Sequence, residues 1–326
     1  QNYAAVMVGV LGAALLALFL DGMIRLLEIA VVRRKWLYAI AASTGLLFLI
    51  SAPAIPQLGA NLGDRPVVTL GSKTFTEQYI LMSLFENRLR ETGFAVQDVR
   101  SLGSTVIFDA LRNDRIDCYV DYSGTIWSNH MRREDNPGRE RVLQEMTRWL
   151  EAEHGIRCLG SLGFENAYVL AMPETHAAQL DIHSIEDLSK YAPSMSIGGD
   201  YEFFSRPEWR AVRSAYHLDF QQQRSFDSSL MYSAVHQGDV DVISAFSTDG
   251  RILAYQLRIL DDPLEALPPY DAVILLSPEA SQNNQLVQAL TPLLGSISNE
   301  EMRTANKLVD LDGSTIQKAA LSLIPR

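Results

Sequence analysis

The sequence predicts an α/β body that is divided into two lobes and preceded by two transmembrane helices. The chain has 326 residues, of which 47% are hydrophobic. From Val67 onward, runs typical of buried strands alternate with helical runs, and this alternation is the pattern of a doubly wound α/β fold. The span 66–326 is long for one such sheet, so we expect two lobes. Two uncharged apolar runs come before it.

The two apolar runs lie at 3–20 and 36–52 and contain no charged residue. The first is long enough to span a bilayer as a helix, and the second is at the lower limit. The basic cluster at 33–35 is expected on the cytoplasmic side, which places everything after Pro53 outside the membrane. The alternative is that one of the two runs is a buried core helix. Residues 53–65 are rich in Pro and Gly and are predicted to be a linker.

The N-terminal end differs from the rest of the chain in charge. Residues 1–35 carry four basic and two acidic side chains, a net charge of +2, whereas the remainder carries 24 basic and 37 acidic side chains, a net charge of −13. An acidic body argues against nucleic-acid binding, which needs a basic face. The chain opens in apolar sequence without an initiator Met or the basic start of a signal peptide, so we expect it to be a piece of a longer protein.

Seven runs are predicted as strands because they are short, apolar and bounded by turn residues. They are VVTL, IDCYV, YVLAM, MSIGG, VDVISAF, LRIL and AVILL. Helices are predicted between them, the first near 75–91. Ligands of open α/β sheets bind at the carboxyl ends of strands, so the residues that follow these runs are the candidates for a binding site.

The segment Gly71–Glu77 follows the first predicted strand. Thr74 and Glu77 have the spacing of a capping box, which predicts that a helix begins here. The free N–H groups of that helix start and the side chain of Lys73 would together favour an anion such as a carboxylate. The alternative is an ordinary helix cap with a solvated lysine.

Asp121–Thr125 stands at the end of the strand IDCYV. Tyr122 is placed to line a crevice at that strand end. The alternative is a tyrosine that is half buried in the core.

Glu202–Pro207 is a further polar and aromatic motif. Pro207 suits the first turn of a helix. Arg206 could bind a carboxylate with two parallel hydrogen bonds. The alternative is a surface ion pair between Arg206 and Glu202.

Two aromatic residues mark the remaining motifs. Phe246 lies in Ala245–Arg251, again at a strand end, and Tyr270 lies in Pro268–Ala272, just before the last predicted strand. The two prolines of the second motif fix the direction of the chain and would aim Tyr270 at one point. Either ring alone is more often a core residue than a ligand contact.

Signals for an enzyme are weak. The six histidines show no metal-ligand spacing, and no nucleophile elbow is present, so we expect neither catalysis nor a metal or other cofactor. Cys118 and Cys158 are the two cysteines. They could form a disulfide outside the cell, or Cys118 could be a free thiol buried in an apolar strand.

Taken in order, the motifs resemble those of a known family. They read GSKTFTEQYIL, LGSTVIFDAL, IDCYVDYSGT, GFENAYVLAM, EFFSRP, GDVDVISAFSTDGRI and PPYDAV. Together they resemble the substrate-binding proteins of the glycine betaine, carnitine and choline importers, the osmoprotectant-uptake branch of the ABC transporters. The resemblance covers residues 66–326. Residues 1–35 resemble the last helix and cytoplasmic end of the matching permease, which implies a permease–binding-protein fusion in which 36–52 returns the chain to the outside.

The resemblance implies a two-lobed periplasmic-binding-protein fold of the second type. The chain is then expected to cross between the lobes near 166–170 and near 269–272. Residues 66–167 plus 271–326 would form lobe 1, and residues 168–270 would form lobe 2.

The resemblance also implies a ligand site. The four tyrosines of the family's aromatic cage map onto Tyr122, Tyr168, Phe246 and Tyr270, with Phe246 in the place usually held by tyrosine. The positions that bind the carboxylate of a betaine map onto Lys73, Thr125 and Arg206. An acidic pocket position matches Glu202, and Asn166 stands where a relative carries an acidic residue.

The function implied is extracytoplasmic capture of a quaternary-ammonium zwitterion, a betaine-type compatible solute, for ATP-driven import. The expected partners are that small molecule, the membrane, permease subunits and an ATP-binding-cassette ATPase. The expected location is the inner membrane, with the binding domain on the periplasmic side. Lys73 and Arg206 favour a ligand with a carboxylate, and ergothioneine and choline are the alternative ligands. A membrane-tethered solute sensor is the alternative from another class.

Overall fold

In the computed structural model the chain divides into two units, Gln1–Asp64 and Arg65–Arg326. The structure describes residues 65–324, apart from Glu134 and Ser229, together with a few positions nearer the N-terminus (17, 19, 21–25, 28 and 36). The predicted membrane-spanning runs and the predicted linker therefore lie almost wholly outside the described residues. No helix among the described residues is long and apolar enough to cross a membrane.

Strands and helices alternate along the second unit, as the hydrophobic pattern predicts. The strands are β1 (Val67–Gly71), β2 (Ala95–Val99), β3 (Cys118–Tyr122), β4 (Arg157–Glu165), β5 (Tyr168–Pro173), β6 (Ser196–Asp200), β7 (Gln222–Phe226), β8 (Val242–Phe246), β9 (Leu257–Ile259) and β10 (Asp271–Leu276). The helices are α1 (Thr76–Glu91), α2 (Ser104–Arg112), α3 (Ser123–Thr125), α4 (Arg139–His154), α5 (Glu174–Leu180), α6 (Ile185–Ser189), α7 (Pro207–Ala215), α8 (Met231–Gln237), α9 (Arg251–Ala254), α10 (Asn284–Leu290), α11 (Asn299–Asp310) and α12 (Ile316–Ser322). A π-helix spans Ile126–His130, and 3₁₀ turns span Ala192–Ser194, Phe203–Ser205, Ala280–Gln282 and Thr291–Leu293.

The first sheet has the strand order β2-β1-β3-β10-β4. β1 runs parallel to β2 and β3, whereas β10 is antiparallel to both of its neighbours. Every residue of β3 and β10 is buried, because helices cover both faces of the sheet at its centre. The apolar stripe of α1 packs on one face through Ile80, Leu81, Leu84 and Phe85, which share one hydrophobic cluster with the strands. We call this sheet and its helices lobe 1.

The second sheet has the strand order β7-β6-β8-β5-β9. β6 is parallel to β7 and β8, and β5 is antiparallel to β8 and β9. We call this sheet and its helices lobe 2. The chain passes from lobe 1 to lobe 2 between Glu165 and Tyr168, and it returns between Ile259 and Asp271. These two connections place the ends of β3, β5, β8 and β10 near one another.

The start of α1 corrects one sequence prediction. The helix begins at Thr76 with Phe75 as its N-cap, and no side chain caps it, so the predicted capping box between Thr74 and Glu77 is wrong. The side chain of Glu77 instead accepts a hydrogen bond from the Tyr122 hydroxyl at 2.5 Å. Because the carboxylate of Glu77 is bonded to Tyr122 on β3, it does not cap the backbone N–H groups at the start of α1.

Both cysteines are free thiols, so the disulfide alternative is wrong. Cys118 lies on β3 opposite Leu276, and Cys158 lies on β4 opposite Leu275. The strand β10 therefore separates them by two inter-strand spacings, about 9.6 Å, whereas a disulfide needs Cα atoms within about 7 Å. Burial raises the pKa of the Cys118 thiol well above its usual range.

Candidate ligand-binding site

A cavity of about 460 Å³ lies between the strand ends of the two lobes. That volume is in the range of small-molecule binding sites, about 300–1,000 Å³. Eight of the nine predicted site residues line this cavity: Lys73, Tyr122, Thr125, Asn166, Tyr168, Arg206, Phe246 and Tyr270. Residues far apart in sequence are thus brought together because each follows or begins a strand at the same end of its sheet.

The lobe 2 wall of the cavity contains two rings in contact. Tyr168 on β5 is directly opposite Phe246 on β8 in the antiparallel register, so both side chains leave the same face of the sheet. Their ring centroids are 4.9 Å apart. The Tyr168 hydroxyl donates a hydrogen bond to Asp200 Oδ2 at 2.9 Å. Burial and this carboxylate raise the pKa of Tyr168, so the phenol stays protonated and keeps its role as a donor.

The lobe 1 wall holds Tyr122 at the end of β3. Tyr122 is buried, and its hydroxyl both donates to Glu77 Oε1 at 2.5 Å and accepts from Gln78 Nε2 at 3.1 Å. The alternative of a half-buried core tyrosine is therefore too simple, since the ring is buried and also lines the cavity. Phe75, which sequence reasoning missed, lies beside it with ring centroids 6.1 Å apart.

Tyr270 joins the two lobes at the return crossing. Its hydroxyl donates to Glu208 Oε1 on α7 at 3.0 Å, and its backbone N–H donates to Glu165 Oε2 at 3.2 Å. Burial, and next the charge of Glu208, raise the pKa of Tyr270 to about 12. The ring lies so close to Gly124 that a Cβ there would come within 2.6 Å of ring atoms. Glycine at position 124 therefore makes room for the ring.

Lys73 is not the solvated lysine of the alternative interpretation. Its ammonium is buried and forms an ion pair with Asp121 on β3. The ammonium nitrogen lies 5.4 Å from the centre of the Tyr122 ring. Asp121 also accepts a hydrogen bond from the Tyr119 hydroxyl at 2.6 Å. The positive charge of Lys73 thus has a partner within the protein.

Arg206 is held by two carboxylates. Its guanidinium contacts Glu208 at 3.3 Å and Glu202 at 3.1 Å, so the alternative ion pair with Glu202 is present. Arg206 is also the N-cap of α7, with Pro207 at the first helical position as predicted. Glu202 does not line the cavity, and 75% of its side chain is exposed. The structure therefore gives Glu202 a position on the surface beside Arg206.

Glu77 is a cavity residue that sequence reasoning assigned to a helix cap. It is buried, and it accepts hydrogen bonds from Tyr122, from Asn306 Nδ2 at 3.1 Å and from Asn166 Nδ2 at 3.3 Å. Burial raises the pKa of Glu77, and the hydrogen bonds from Thr248 and these three groups oppose that rise. Sequence reasoning missed this role because the spacing of Thr74 and Glu77 also fits a capping box.

Arg251 and Asp249 are also cavity residues that were missed. Two guanidinium nitrogens of Arg251 donate to the two oxygens of Asp249 at 2.9 and 2.8 Å. The guanidinium carbon lies 4.6 Å from the centre of the Tyr232 ring. Both residues follow β8 and could have been found from the rule that ligand sites collect at strand ends. No group of three or more His, Cys, Asp or Glu in the described part of the chain could hold a metal ion.

Two mixed sheets, two crossings and a ring-lined cavity between them define a two-lobed solute-binding domain of the periplasmic-binding-protein type. The same architecture is found in a crystal structure of a glycine betaine/carnitine/choline ABC transporter, with a TM-score of 0.75 and 24% identity over 79% of this chain and 97% of that one. The apo structure of YehZ from Escherichia coli gives a TM-score of 0.70 at 21% identity and covers 79% of this chain and 97% of that one. These likenesses concern the fold.

Residues 66–324 match the family described as the substrate-binding domain of the ABC-type glycine betaine transport system, and the chain belongs to that family. Its relatives include the carnitine transport binding protein OpuCC of Listeria monocytogenes, which is 29% identical over 84% of this chain and 90% of its own length. A glycine-betaine-binding protein of Pseudomonas aeruginosa is 29% identical over 81% of this chain and 89% of its own length.

A third relative is longer than the present chain. The ergothioneine transport permease/ergothioneine binding protein EgtU of Helicobacter pylori is 26% identical over 81% of this chain, and the match covers 48% of its length. The family membership makes residues 66–324 a substrate-binding domain of an ABC transport system, and the family and OpuCC are both described as transport components rather than enzymes.

Proposed function

We propose that the cavity captures a quaternary-ammonium solute, with a betaine-type zwitterion as the first candidate, for ATP-driven import by an ABC transporter. The observation that carries the proposal is the set of four predicted cage rings, from both lobes, which line one cavity together with a fifth ring, Phe75. A trimethylammonium group has no N–H to donate, so polar side chains gain little from it. Aromatic faces attract it through their quadrupoles, by about 0.5–2 kcal/mol per ring. Several rings together can therefore reach micromolar affinity, about −8 kcal/mol.

In this proposal the carboxylate of a betaine meets Lys73, Thr125 and Arg206. All three line the cavity. An ammonium has three N–H donors, and Asp121 engages one side of Lys73, so the remaining donors are available to a ligand. The Thr125 hydroxyl adds a neutral donor. Glu202 is left out of the proposed contacts because its side chain is exposed and outside the cavity.

Choline is a second candidate because of the charges around the cavity. Lys73 and Arg206 both have carboxylate partners in the protein, which weakens the argument that they select a ligand with a carboxylate. Ergothioneine is a third candidate. It is also a trimethylammonium zwitterion, and a relative is described as an ergothioneine transport and binding protein.

We further propose that the domain works on the extracytoplasmic side of the inner membrane with permease subunits and a separate ATP-binding-cassette ATPase. The family and the names of the relatives support this role. The apolar runs at 3–20 and 36–52 would anchor the domain, and residues 1–35 would be the end of a fused permease. The Helicobacter relative, which its name describes as both permease and binding protein, supports the fusion.

The substitution Tyr270→Ala tests the proposed cage. It removes the ring at the return crossing and should weaken binding of the best quaternary amine by about 10- to 100-fold, because the ring's attraction and its contact area are both lost. Isothermal titration calorimetry of the full chain with glycine betaine, carnitine, choline and ergothioneine gives the measurement.

Tyr255→Ala is the matched control, since the Tyr255 ring contacts the His236 ring and does not line the cavity. We expect the ligand affinities of Tyr255→Ala to stay within about threefold of the wild type, because a residue outside the cavity shares no contact with the ligand. An unchanged affinity in Tyr270→Ala would show that Tyr270 is not a ligand contact and would contradict the proposed four-ring cage.

A further inference from the structure

The cations that line the cavity are already neutralised by the protein. Lys73, Arg206 and Arg251 each contact a carboxylate, and two of these carboxylates, Asp121 and Glu208, are themselves buried. An ion pair formed within the protein presents little net charge to a ligand. The negative side chains of the cavity therefore decide its electrostatic preference.

Glu77 is the buried carboxylate of the cavity that has neutral partners. All the hydrogen bonds it accepts come from hydroxyl and amide groups, those of Tyr122, Thr248, Asn166 and Asn306. Burial and these hydrogen bonds are the strongest influences on its pKa, and none of them comes from a cation. Four neutral donors solvate a carboxylate well, but they leave its charge uncompensated in a site where water screens it little.

Asp310 is the other cavity carboxylate outside an ion pair, and its surroundings differ, since its charge acts on Arg251, whose pKa it helps to raise. It lies at the C-terminal end of α11, is exposed, and accepts a hydrogen bond from the Thr76 hydroxyl at 2.7 Å. Water and salt screen an exposed charge over distances of about 8–10 Å. The field inside the cavity is therefore dominated by Glu77.

We propose that Glu77 is the counter-charge for the ligand's quaternary nitrogen and makes the cavity prefer ligands with a net positive charge. This inference rests on the proposed function and, among its candidate ligands, moves choline ahead of the betaine-type zwitterions. Glu77 lines the cavity and is bonded to the hydroxyl of Tyr122, whose ring is one of the cage walls. A cation seated against that ring faces both the ring's quadrupole and the carboxylate. A zwitterion would bring a second negative group into the same cavity.

The test compares Glu77→Gln with the wild type on two ligands of the same shape. Choline carries the quaternary nitrogen, and 3,3-dimethylbutan-1-ol replaces that nitrogen by carbon. Glutamine keeps the size of the side chain, and its amide oxygen can still accept hydrogen bonds. We expect calorimetric titration of the full chain to show choline affinity at least tenfold lower in the variant. Affinity for the neutral alcohol should stay within about threefold.

Glu91→Gln is the matched control, because Glu91 lies on the same helix, is exposed and does not line this cavity. A role of Glu77 that is only structural would lower the affinity for choline and for the alcohol equally, and that outcome overturns the inference. An unchanged choline affinity also overturns it. If the wild type binds choline and its neutral isostere equally, Glu77 is not a counter-charge, although other quaternary amines can still bind. If the wild type binds no quaternary amine at all, the proposed function fails as well.

Zwitterions provide a second readout. Glycine betaine affinity should fall less than choline affinity in Glu77→Gln, because the variant also removes the repulsion of the ligand carboxylate. A shift of the choline-to-betaine affinity ratio by at least threefold toward betaine supports the inference. An unchanged ratio, or a shift toward choline, contradicts it.

Discussion

The two walls of the cavity are built differently. On the lobe 1 side, Lys73, Glu77 and Tyr122 are 4%, 2% and 4% exposed and are joined to partners by hydrogen bonds. On the lobe 2 side, Tyr168 and Phe246 are only partly buried and expose ring surface. These three lobe 1 residues are therefore already packed and hydrogen-bonded within the fold, and Phe75, which is 38% exposed, is the open ring on that side. The lobe 2 wall still has apolar surface to bury, and a ligand that draws the lobes together would cover it.

This difference separates stability from affinity. Changes in the lobe 1 wall that leave the charge of Glu77 in place should act mainly on the free energy of unfolding, because they break buried hydrogen bonds. Changes in the lobe 2 wall should act mainly on ligand affinity, because its partly exposed rings can form contacts with a ligand. Three substitutions can break this division.

Tyr168→Ala should have the largest effect, a loss of about 30- to 100-fold in affinity for the best quaternary amine. The ring lies between Phe203 and Phe246, with centroids 5.2 and 4.9 Å away, so its removal opens the lobe 2 wall. Calorimetric titration gives the affinity. Tyr168→Phe is the control, because it keeps the ring and loses only the hydrogen bond to Asp200. A loss of affinity as large in the phenylalanine variant would show that the hydroxyl, rather than the ring, matters.

Tyr122→Phe should reduce the free energy of unfolding by about 1.5–3 kcal/mol, the usual contribution of a hydrogen bond to a charged group. The variant keeps the ring but leaves Glu77 without its 2.5 Å donor. Affinity should change by no more than about threefold. Urea unfolding gives the first quantity and calorimetric titration gives the second. A large loss of affinity at full stability would contradict the division between the walls.

Phe246→Tyr should have the smallest effect, less than about threefold in affinity. The substitution introduces the tyrosine that the family resemblance predicts at this position and leaves the ring face in place, and the ring provides the attraction for a quaternary nitrogen. A parallel titration with glycine betaine, carnitine and choline measures the change for each ligand. A change of tenfold or more for any of them would show that a hydroxyl at position 246 selects among the ligands.

The buried strands could be predicted from the sequence, and three edge strands could not. The seven apolar runs all fall in strands of the two sheets. The strands β2, β4 and β7, which were missed, each lie at the edge of a sheet. Most residues of β2 and β7 are polar or exposed, as in AVQDV and QQRSF. An edge strand has one neighbour and water on the other side, so it does not need the apolar pattern that reveals a central strand.

The site shows a similar limit. Eight cavity residues could be predicted from the strand-end motifs together with the family resemblance, because the topology of the sheets determines where the strand ends lie. The charge partners could not be found in this way. Asp121 pairs with Lys73 across 48 positions, and Glu77 joins Tyr122 across 45. Local spacing contains no information about such contacts. Glu77 was hidden further because its position three residues after Thr74 fits a capping box.

The most direct test of the central claim is a calorimetric titration of the wild-type full chain with quaternary amines and with 3,3-dimethylbutan-1-ol. A cavity walled by aromatic rings predicts a dissociation constant of about 1 µM to 100 µM for at least one of choline, glycine betaine, carnitine and ergothioneine. The neutral alcohol should bind at least tenfold more weakly than choline. The account is contradicted if none of the four amines binds below about 1 mM, or if the alcohol binds as tightly as choline.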